Sequence, residues 1–166
     1  TNCPGAQKNT FIYAPRVLEA KIKEASTEGE KKQFVDQLIE SYETRLIHFP
    51  GKEAYVVGEK ASKTLKYTDD FESSFNLFKR AYDAGYTEMT PAQLNGYFLS
   101  SVKMFNDKKL DLEQLIGVYL RTNEAIADNR INISNGFKLC LNRLAIDYID
   151  YDIARISPSN QDLVFI

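Results

Sequence analysis

The stretch of the chain that decides its fold is residues 42–58, which read YETRLIHFPGKEAYVVG. Its first half continues a row of apolar residues at helical spacing, and it ends at Pro50 and Gly51, where a helix must stop. A second helical pattern follows at once, with Ala54 and Gly58 one turn apart. The stretch therefore predicts the end of one helix, a tight break and the start of the next helix.

The same helical spacing of apolar residues continues along nearly the whole chain, and strand-like alternation is scarce. We therefore predict an all-α protein of about seven helices. The predicted helices are residues 9–25, 30–48, 52–67, 69–84, 91–106, 112–128 and 135–155. Strict alternation occurs once, in residues 147–153, and read alone it could be a strand. The helical stripe that enters it through Leu144 and Tyr148 favours a helix.

Start signals support these helices. Thr90 is followed by Pro91 and Gln93, which is a capping hydroxyl, a proline at the first helical position and an amide able to reach back. Further start signals are predicted at Asp69 with Glu72, at Asp111 with Gln114, and at Ser134. Gly85 supplies a stop.

The breaks between helices recur at a regular interval. The sequence Cys-Pro-Gly at residues 3–5 returns as Phe-Pro-Gly at residues 49–51, 46 residues later, and further breaks follow after 41 and 43 residues, at Pro91 and Ser134. Helices that follow these breaks carry apolar or small residues at offsets of 0, 4, 7 and 11. Repeats of this size are helix pairs, which bury their apolar faces by stacking on their neighbours.

Residues 42–58 resemble the tetratricopeptide repeat family: the end of a second helix, a punctuating proline, and a next first helix with a small residue at Gly58. The resemblance covers residues 3–155 and is strongest to divergent, secreted bacterial members. The sequence departs from the family pattern in three ways. Its repeats are longer than the usual 34 residues, Phe98 and Leu141 occupy positions where a glycine is expected, and the chain contains no tryptophan. These departures predict helix pairs that splay more than in regular members.

The resemblance implies antiparallel helix pairs stacked as a right-handed superhelical solenoid. It implies one domain over residues 1–166, with pairs at about 4–49, 50–90 and 91–133, and a final helix and tail at 134–166. The chain opens at a repeat boundary and closes with the apolar run 163–166, so we expect either a segment of a longer repeat protein or a tail that folds back as a cap. The resemblance favours a periplasmic or extracellular location. Gly58 is expected where two helix backbones come close.

Composition argues against several classes of function. The net charge of −2 comes from 21 basic and 23 acidic residues that are mixed along the chain, whereas nucleic-acid binding favours a basic excess or stripe. No apolar run approaches the roughly 18–20 residues of a membrane-spanning helix. Cys3 and Cys140 do not form the paired spacing of a zinc site. We therefore expect no nucleic-acid partner, transmembrane segment or structural metal.

A catalytic set is also not visible. The single histidine, His48, ends a helix, where a positive group stabilises the helix dipole. Cys140 lies in a helical apolar stripe, so it is read as a small core residue. Acidic residues cluster at 69–70 and at Asp147, Asp150 and Asp152, but without the loop geometry that calcium ligation favours. The sequence therefore predicts a protein that is not an enzyme and holds no cofactor.

A binding face remains as the functional candidate. In the family that the chain resembles, the first helix of each pair lines a concave groove. Carried over to this sequence, the groove residues are Arg16, Tyr55, Glu59, Lys63, Asn95, Lys103, Lys138 and Asn142. Four of these are basic and one is acidic, which favours an acidic peptide segment as the partner. The alternative is that they are merely solvated surface.

The sequence thus favours a non-catalytic protein–protein interaction scaffold whose partner and oligomeric state it does not specify. The rival is a helical domain that binds a glycan or small ligand through exposed tyrosines. Exposure of Tyr13, Tyr55, Tyr97 and Tyr151 discriminates the two, because a flat polar groove suits a peptide and a deep aromatic pocket suits a ligand.

Overall fold

A computed structural model describes residues 7–127 of the chain, and this part is entirely helical, with no strand. The helices are α1 (Thr10–Glu24), α2 (Glu28–His48), α3 (Glu53–Tyr67), α4 (Phe71–Gly85), α5 (Pro91–Asn106) and α6 (Leu112–Ala127), with a 3-10 turn at Tyr86–Glu88. The all-α prediction is confirmed for these residues. The predicted seventh helix, its cap at Ser134 and the alternating segment 147–153 lie outside the described residues.

Two of the predicted start signals are confirmed as reciprocal caps. At α5 the Gln93 backbone N–H donates to Thr90 Oγ1 at 3.2 Å, and the Thr90 N–H donates to Gln93 Oε1 at 3.0 Å. At α6 the Gln114 N–H donates to Asp111 Oδ1 at 2.8 Å, and the Asp111 N–H donates to Gln114 Oε1 at 2.9 Å. Each cap satisfies two backbone groups that a helix end leaves free.

Two other starts differ from the prediction. At α4 the cap is Asp70 rather than Asp69, because Ser73 donates both its N–H, at 2.9 Å, and its hydroxyl, at 2.6 Å, to the Asp70 carboxylate. These hydrogen bonds, the side-chain one first, lower the pKa of Asp70. Helix α2 begins two residues earlier than predicted, because Thr27 and Glu30 form a reciprocal cap that places Gly29 inside the first turn.

Each helix packs against the next one in the chain, and α3 also packs against α5. Helix α1 reaches α3 through Glu19, which accepts hydrogen bonds from Lys63, Lys66 and Tyr67 at 3.1, 3.3 and 2.8 Å. Helix α3 thus lies beside both α1 and α5.

Helix α3 divides the buried apolar residues into two clusters. Val56 faces a smaller cluster with Ile22, Val35, Leu38 and Tyr42 of α1 and α2. The adjacent Val57 faces a larger cluster formed mainly by α4, α5 and α6. Since successive residues of a helix point about 100° apart, α3 packs against both sides at once.

Two glycines allow close approach, in different ways. A Cβ at Gly58 would lie 2.7 Å from Cδ and Oε1 of the Gln93 side chain, so Gly58 makes room for an amide rather than for the helix backbone that was expected. A Cβ at Gly96 would lie 2.5 Å from Cζ of Phe78, so α5 rests on the Phe78 ring of α4. The family pattern places a glycine at position 98, which is Phe98 in this chain. The residue that allows close approach in α5 is instead Gly96, two positions earlier.

Candidate functional site

A cavity of about 320 Å³ opens between α1, α2 and α3. Its lining comprises Phe11, Ile12, Pro15, Arg16 and Glu19 of α1, Tyr42 and Arg45 of α2, and Tyr55, Glu59 and Lys63 of α3. Within each helix the lining positions are mostly three or four residues apart, which places them on one face. The helical spacing of the sequence therefore builds the cavity, one face from each of three helices.

We call this recess the α1–α3 cavity. Its most unusual residue is Arg45. It is only 9% exposed, and its Nε finds no hydrogen-bond partner among residues 7–127. Its guanidinium carbon lies 6.0 Å from the centroid of the Tyr55 ring. A buried N–H without an acceptor costs free energy, more so on a charged group. The position therefore suits a ligand that brings an acceptor oxygen.

The acidic residue on the α1 wall, Glu19, is already engaged. It accepts hydrogen bonds from the Tyr67 hydroxyl at 2.8 Å and from Nζ of Lys63 at 3.1 Å. Burial acts to raise the pKa of Glu19, but these hydrogen bonds and the nearby lysine charge outweigh it and lower the pKa. Glu19 therefore stays ionised and holds Lys63 in place, which removes part of the Lys63 charge from the cavity.

The acidic residue of α3, Glu59, is held from outside the cavity. Gln93 of α5 donates from Nε2 to Glu59 Oε1 at 2.8 Å and to the Tyr55 carbonyl at 3.2 Å. The Gln93 side chain is 1% exposed and fits beside Gly58. The amide that caps α5 thus also fixes the direction of a cavity carboxylate.

Tyr42 supplies a hydroxyl between these charges. Burial, and then the carboxylates of Glu59 and Glu19, raise the pKa of Tyr42 well above its usual value of 10. The phenol therefore stays protonated at physiological pH and can donate a hydrogen bond. Together with Arg16 and Arg45, the cavity offers donors along α1 and α2 and carboxylates on α1 and α3.

The structure brings together four of the predicted groove residues, Arg16, Tyr55, Glu59 and Lys63, around this cavity. Two others lie elsewhere: Asn95 is half-buried on α5, and Lys103 places its Nζ 5.6 Å from the centroid of the Phe71 ring of α4. The remaining two, Lys138 and Asn142, lie outside the described residues.

Sequence reasoning missed Arg45, Glu19 and Tyr42 as cavity residues. A signal for Arg45 was present, because it follows Val35, Leu38 and Tyr42 at helical spacing and so occupies a place in the buried row of α2. A charged residue in such a row is rarely buried without a partner. For Glu19 no local signal exists, because its partner Lys63 is 44 residues away.

The tyrosines chosen to discriminate the two functions fall into different settings. Tyr13 is 58% exposed, Tyr55 is half-buried at the cavity, and Tyr97 is fully buried in the core. Tyr151 lies outside the described residues. The cavity is thus neither a flat polar groove nor a deep pocket of exposed tyrosines, but a recess with charged and aromatic walls.

Residues 7–127 contain no group of three or more His, Cys, Asp or Glu side chains placed to hold a metal ion. Among the described residues, no helix is both long enough and apolar enough to cross a membrane. Comparisons of the chain with family models, with curated proteins and with solved structures gave no match.

Proposed function

We propose that this chain is a non-catalytic scaffold of tetratricopeptide-like helix pairs, stacked as a right-handed solenoid, and that it binds an acidic segment of a partner protein at the α1–α3 cavity. The stacking proposal is supported by the neighbouring positions of α1, α3 and α5. The binding proposal depends on one observation, the buried Arg45 whose Nε is unpartnered among residues 7–127.

A carboxylate fits Arg45 better than other acceptors do. A guanidinium presents parallel N–H donors that match the two oxygens of a carboxylate, and such charge-assisted hydrogen bonds are about twice as strong as neutral ones. Arg16 lies at the same cavity and is exposed, so it adds positive potential where a ligand would enter. Glu19 does not compete for Arg45, because Lys63, Lys66 and Tyr67 already occupy it.

The size of the cavity limits what enters it. Sites for small ligands span roughly 300–1,000 Å³, and the α1–α3 cavity, at about 320 Å³, is at the lower limit. One acidic side chain or a chain-terminal carboxylate fits such a space, whereas the rest of the peptide would lie along the surface. We therefore expect specificity for one buried carboxylate and weaker selection of the flanking residues.

The test uses the full chain and two labelled ten-residue peptides, one alternating Glu with Gly and the other alternating Gln with Gly. Fluorescence anisotropy gives the dissociation constants. We expect Arg45→Gln to weaken binding of the Glu peptide at least about tenfold, because a hydrogen bond to a charged group contributes about 1.5–3 kcal/mol. Arg80→Gln is the control, since Arg80 pairs with Glu53 on the surface of α4, away from the cavity.

Salt separates the two arginines. Exposed charges are screened over ~8 Å at physiological ionic strength, but buried pairs much less. The effect of Arg16→Gln should therefore shrink as salt rises, while that of Arg45→Gln persists. Equal binding of the Glu and Gln peptides, or Glu-peptide binding that Arg45→Gln leaves intact, would refute the proposal.

The rival function, binding of a glycan or small ligand, draws support from the aromatic walls that Phe11, Tyr42 and Tyr55 give the cavity. Uncharged sugars stack on such rings and need no cation. Binding of chitotriose that Tyr55→Leu abolishes and Arg45→Gln leaves unchanged would favour this rival.

A further inference from the structure

A second cavity, of about 280 Å³, lies between α4, α5 and α6. Phe75 and Lys79 of α4, Tyr97 of α5, and Gln114, Gly117 and Arg121 of α6 are among the residues that line it. It shares no lining residue with the α1–α3 cavity. We call it the α4–α6 cavity, and the function proposed above makes no use of it.

Tyr97 carries a hydroxyl at this cavity whose O–H has no acceptor among the described residues, because the nearby Arg121 guanidinium is itself a donor. Its side chain is fully buried, and its ring packs against Phe75, Phe78 and Tyr82 at centroid distances of 5.6, 6.5 and 6.0 Å. The hydroxyl has no hydrogen-bond partner within residues 7–127. Buried hydroxyls are nearly always paired, so an unpaired one at a cavity indicates a missing partner.

The hydroxyl is a donor at physiological pH. Burial raises the pKa of Tyr97, and the carboxylate of Asp83 acts in the same direction. The Arg121 guanidinium lies close enough to oppose this rise, but burial dominates. The neutral phenol can donate its O–H, and the neighbouring guanidinium can donate its N–H groups, to the same acceptor. An anion accepts hydrogen bonds from both groups.

The charge of the wall supports an anion. Its lining includes the cations Lys79 and Arg121, and none of the described residues that line it is acidic. The Lys79 ammonium already donates a hydrogen bond to the Asp83 carboxylate at 2.8 Å. Arg121 is therefore the main positive group on the cavity wall. The Arg121 turn of α6 is fixed to α4, because the Tyr82 hydroxyl donates to the Arg121 carbonyl at 2.9 Å.

Gly117 keeps the opening clear. It lies in the middle of α6, where glycine lowers helix stability relative to alanine. A Cβ built there meets no heavy atom of the described chain within 4 Å. Among the described residues, the space directly in front of Gly117 is therefore open to an added Cβ.

From these contacts we infer that the α4–α6 cavity binds a small organic carboxylate. The carboxylate accepts from the Tyr97 hydroxyl and pairs with Arg121, while the apolar part of the ligand packs on Phe75 and Val118. The cavity volume of about 280 Å³ suits a compact molecule with a single ring or a short chain.

The probe is benzoate, titrated into the full, isotope-labelled chain and followed by two-dimensional amide NMR, with benzyl alcohol as the neutral analogue. Benzoate should shift the signals of α4, α5 and α6 residues around the cavity and bind at least about tenfold more tightly than benzyl alcohol, since loss of the charge-assisted pair corresponds to roughly that factor. Acetate should bind more weakly than benzoate, because it lacks the apolar part.

Three variants locate the binding. Arg121→Gln and Tyr97→Phe should each weaken benzoate binding several-fold, and Gly117→Leu, which fills open space and keeps a good helix former, should abolish it. Arg16→Gln, at the other cavity, is the matched control and should leave these shifts unchanged. The inference is overturned if benzoate and benzyl alcohol bind equally, or if Gly117→Leu still shows the shifts. Peptide binding at the α1–α3 cavity should be unaffected by Gly117→Leu, so the two proposals fail separately.

Discussion

Removal of the Tyr97 hydroxyl should make the protein more stable, which is opposite to the usual effect of a core substitution. Tyr97→Phe keeps the ring and its contacts with Phe75, Phe78 and Tyr82. It removes only a hydroxyl that is fully buried and unpaired within residues 7–127. Leaving such a group unsatisfied costs about 1–3 kcal/mol. Because Arg121 lies nearby and offsets part of this cost, we expect a gain of about 1 kcal/mol.

The assay is urea unfolding of the full chain, followed by far-UV circular dichroism. A gain of about 1 kcal/mol raises the midpoint without changing the slope, and it raises Tm by about 2–4 °C for a chain of this size. Tyr82→Phe is the matched control, because the Tyr82 hydroxyl donates to the Arg121 carbonyl at 2.9 Å. Its loss should lower stability by about 0.5–1.5 kcal/mol.

The reasoning is refuted if Tyr97→Phe is destabilised as much as Tyr82→Phe. In that case the Tyr97 hydroxyl is bonded in the free protein, and the donor assigned to the α4–α6 cavity is not available to a ligand.

Three further predictions concern helix packing and the effect of acid on stability. Gly58→Leu should lower the stability of the protein by ~1–3 kcal/mol through overpacking, because even its Cβ would lie 2.7 Å from the Gln93 amide; equal melting temperatures of this variant and wild type would contradict the prediction. Gly117→Ala should raise the stability by about 0.5–1 kcal/mol, because alanine favours the helix and its Cβ meets no neighbour among the described residues. Because folding lowers the pKa of Glu19 below its ordinary value of 4.5, its ionised carboxylate stabilises the protein at pH values above 4.5. This contribution is lost as the pH falls through the pKa of the folded state. Glu19→Gln should therefore be less stable than wild type at pH 7, and the difference should disappear in acid. Chemical denaturation at pH 7 and at successively lower pH checks this, and a constant difference would show that Glu19 acts through packing alone.

The helices were predictable from sequence wherever a local side chain decides the start. Thr90 with Gln93 and Asp111 with Gln114 form the expected reciprocal caps, because both partners are three residues apart and need no other part of the chain. The start of α2 was predicted two residues late because the reciprocal cap of Thr27 and Glu30, which tolerates Gly29 in the first turn, was not recognised.

The candidate site was predictable only in part, because spacing identifies a face of a helix but not what the neighbouring helix presents to it. Tyr55, Glu59 and Lys63 share a face of α3, and the structure places all three at one cavity. The charge they offer differs from the sequence count, since Lys63 is paired with Glu19 at 3.1 Å and Arg45 enters from α2. The pairing of Lys63 depends on tertiary packing, which no local pattern encodes, whereas the place of Arg45 in the buried row of α2 was visible in the sequence.

One residue connects the proposed binding site to α5. Gln93 caps α5 with its Oε1 and holds Glu59 and the Tyr55 carbonyl of α3 with its Nε2. It fits there only because Gly58 lacks a side chain. The orientation of the Glu59 carboxylate in the α1–α3 cavity therefore depends on α5, a helix that contributes no lining residue to that cavity. Helix α5 thus shapes a recess whose lining comes from α1, α2 and α3.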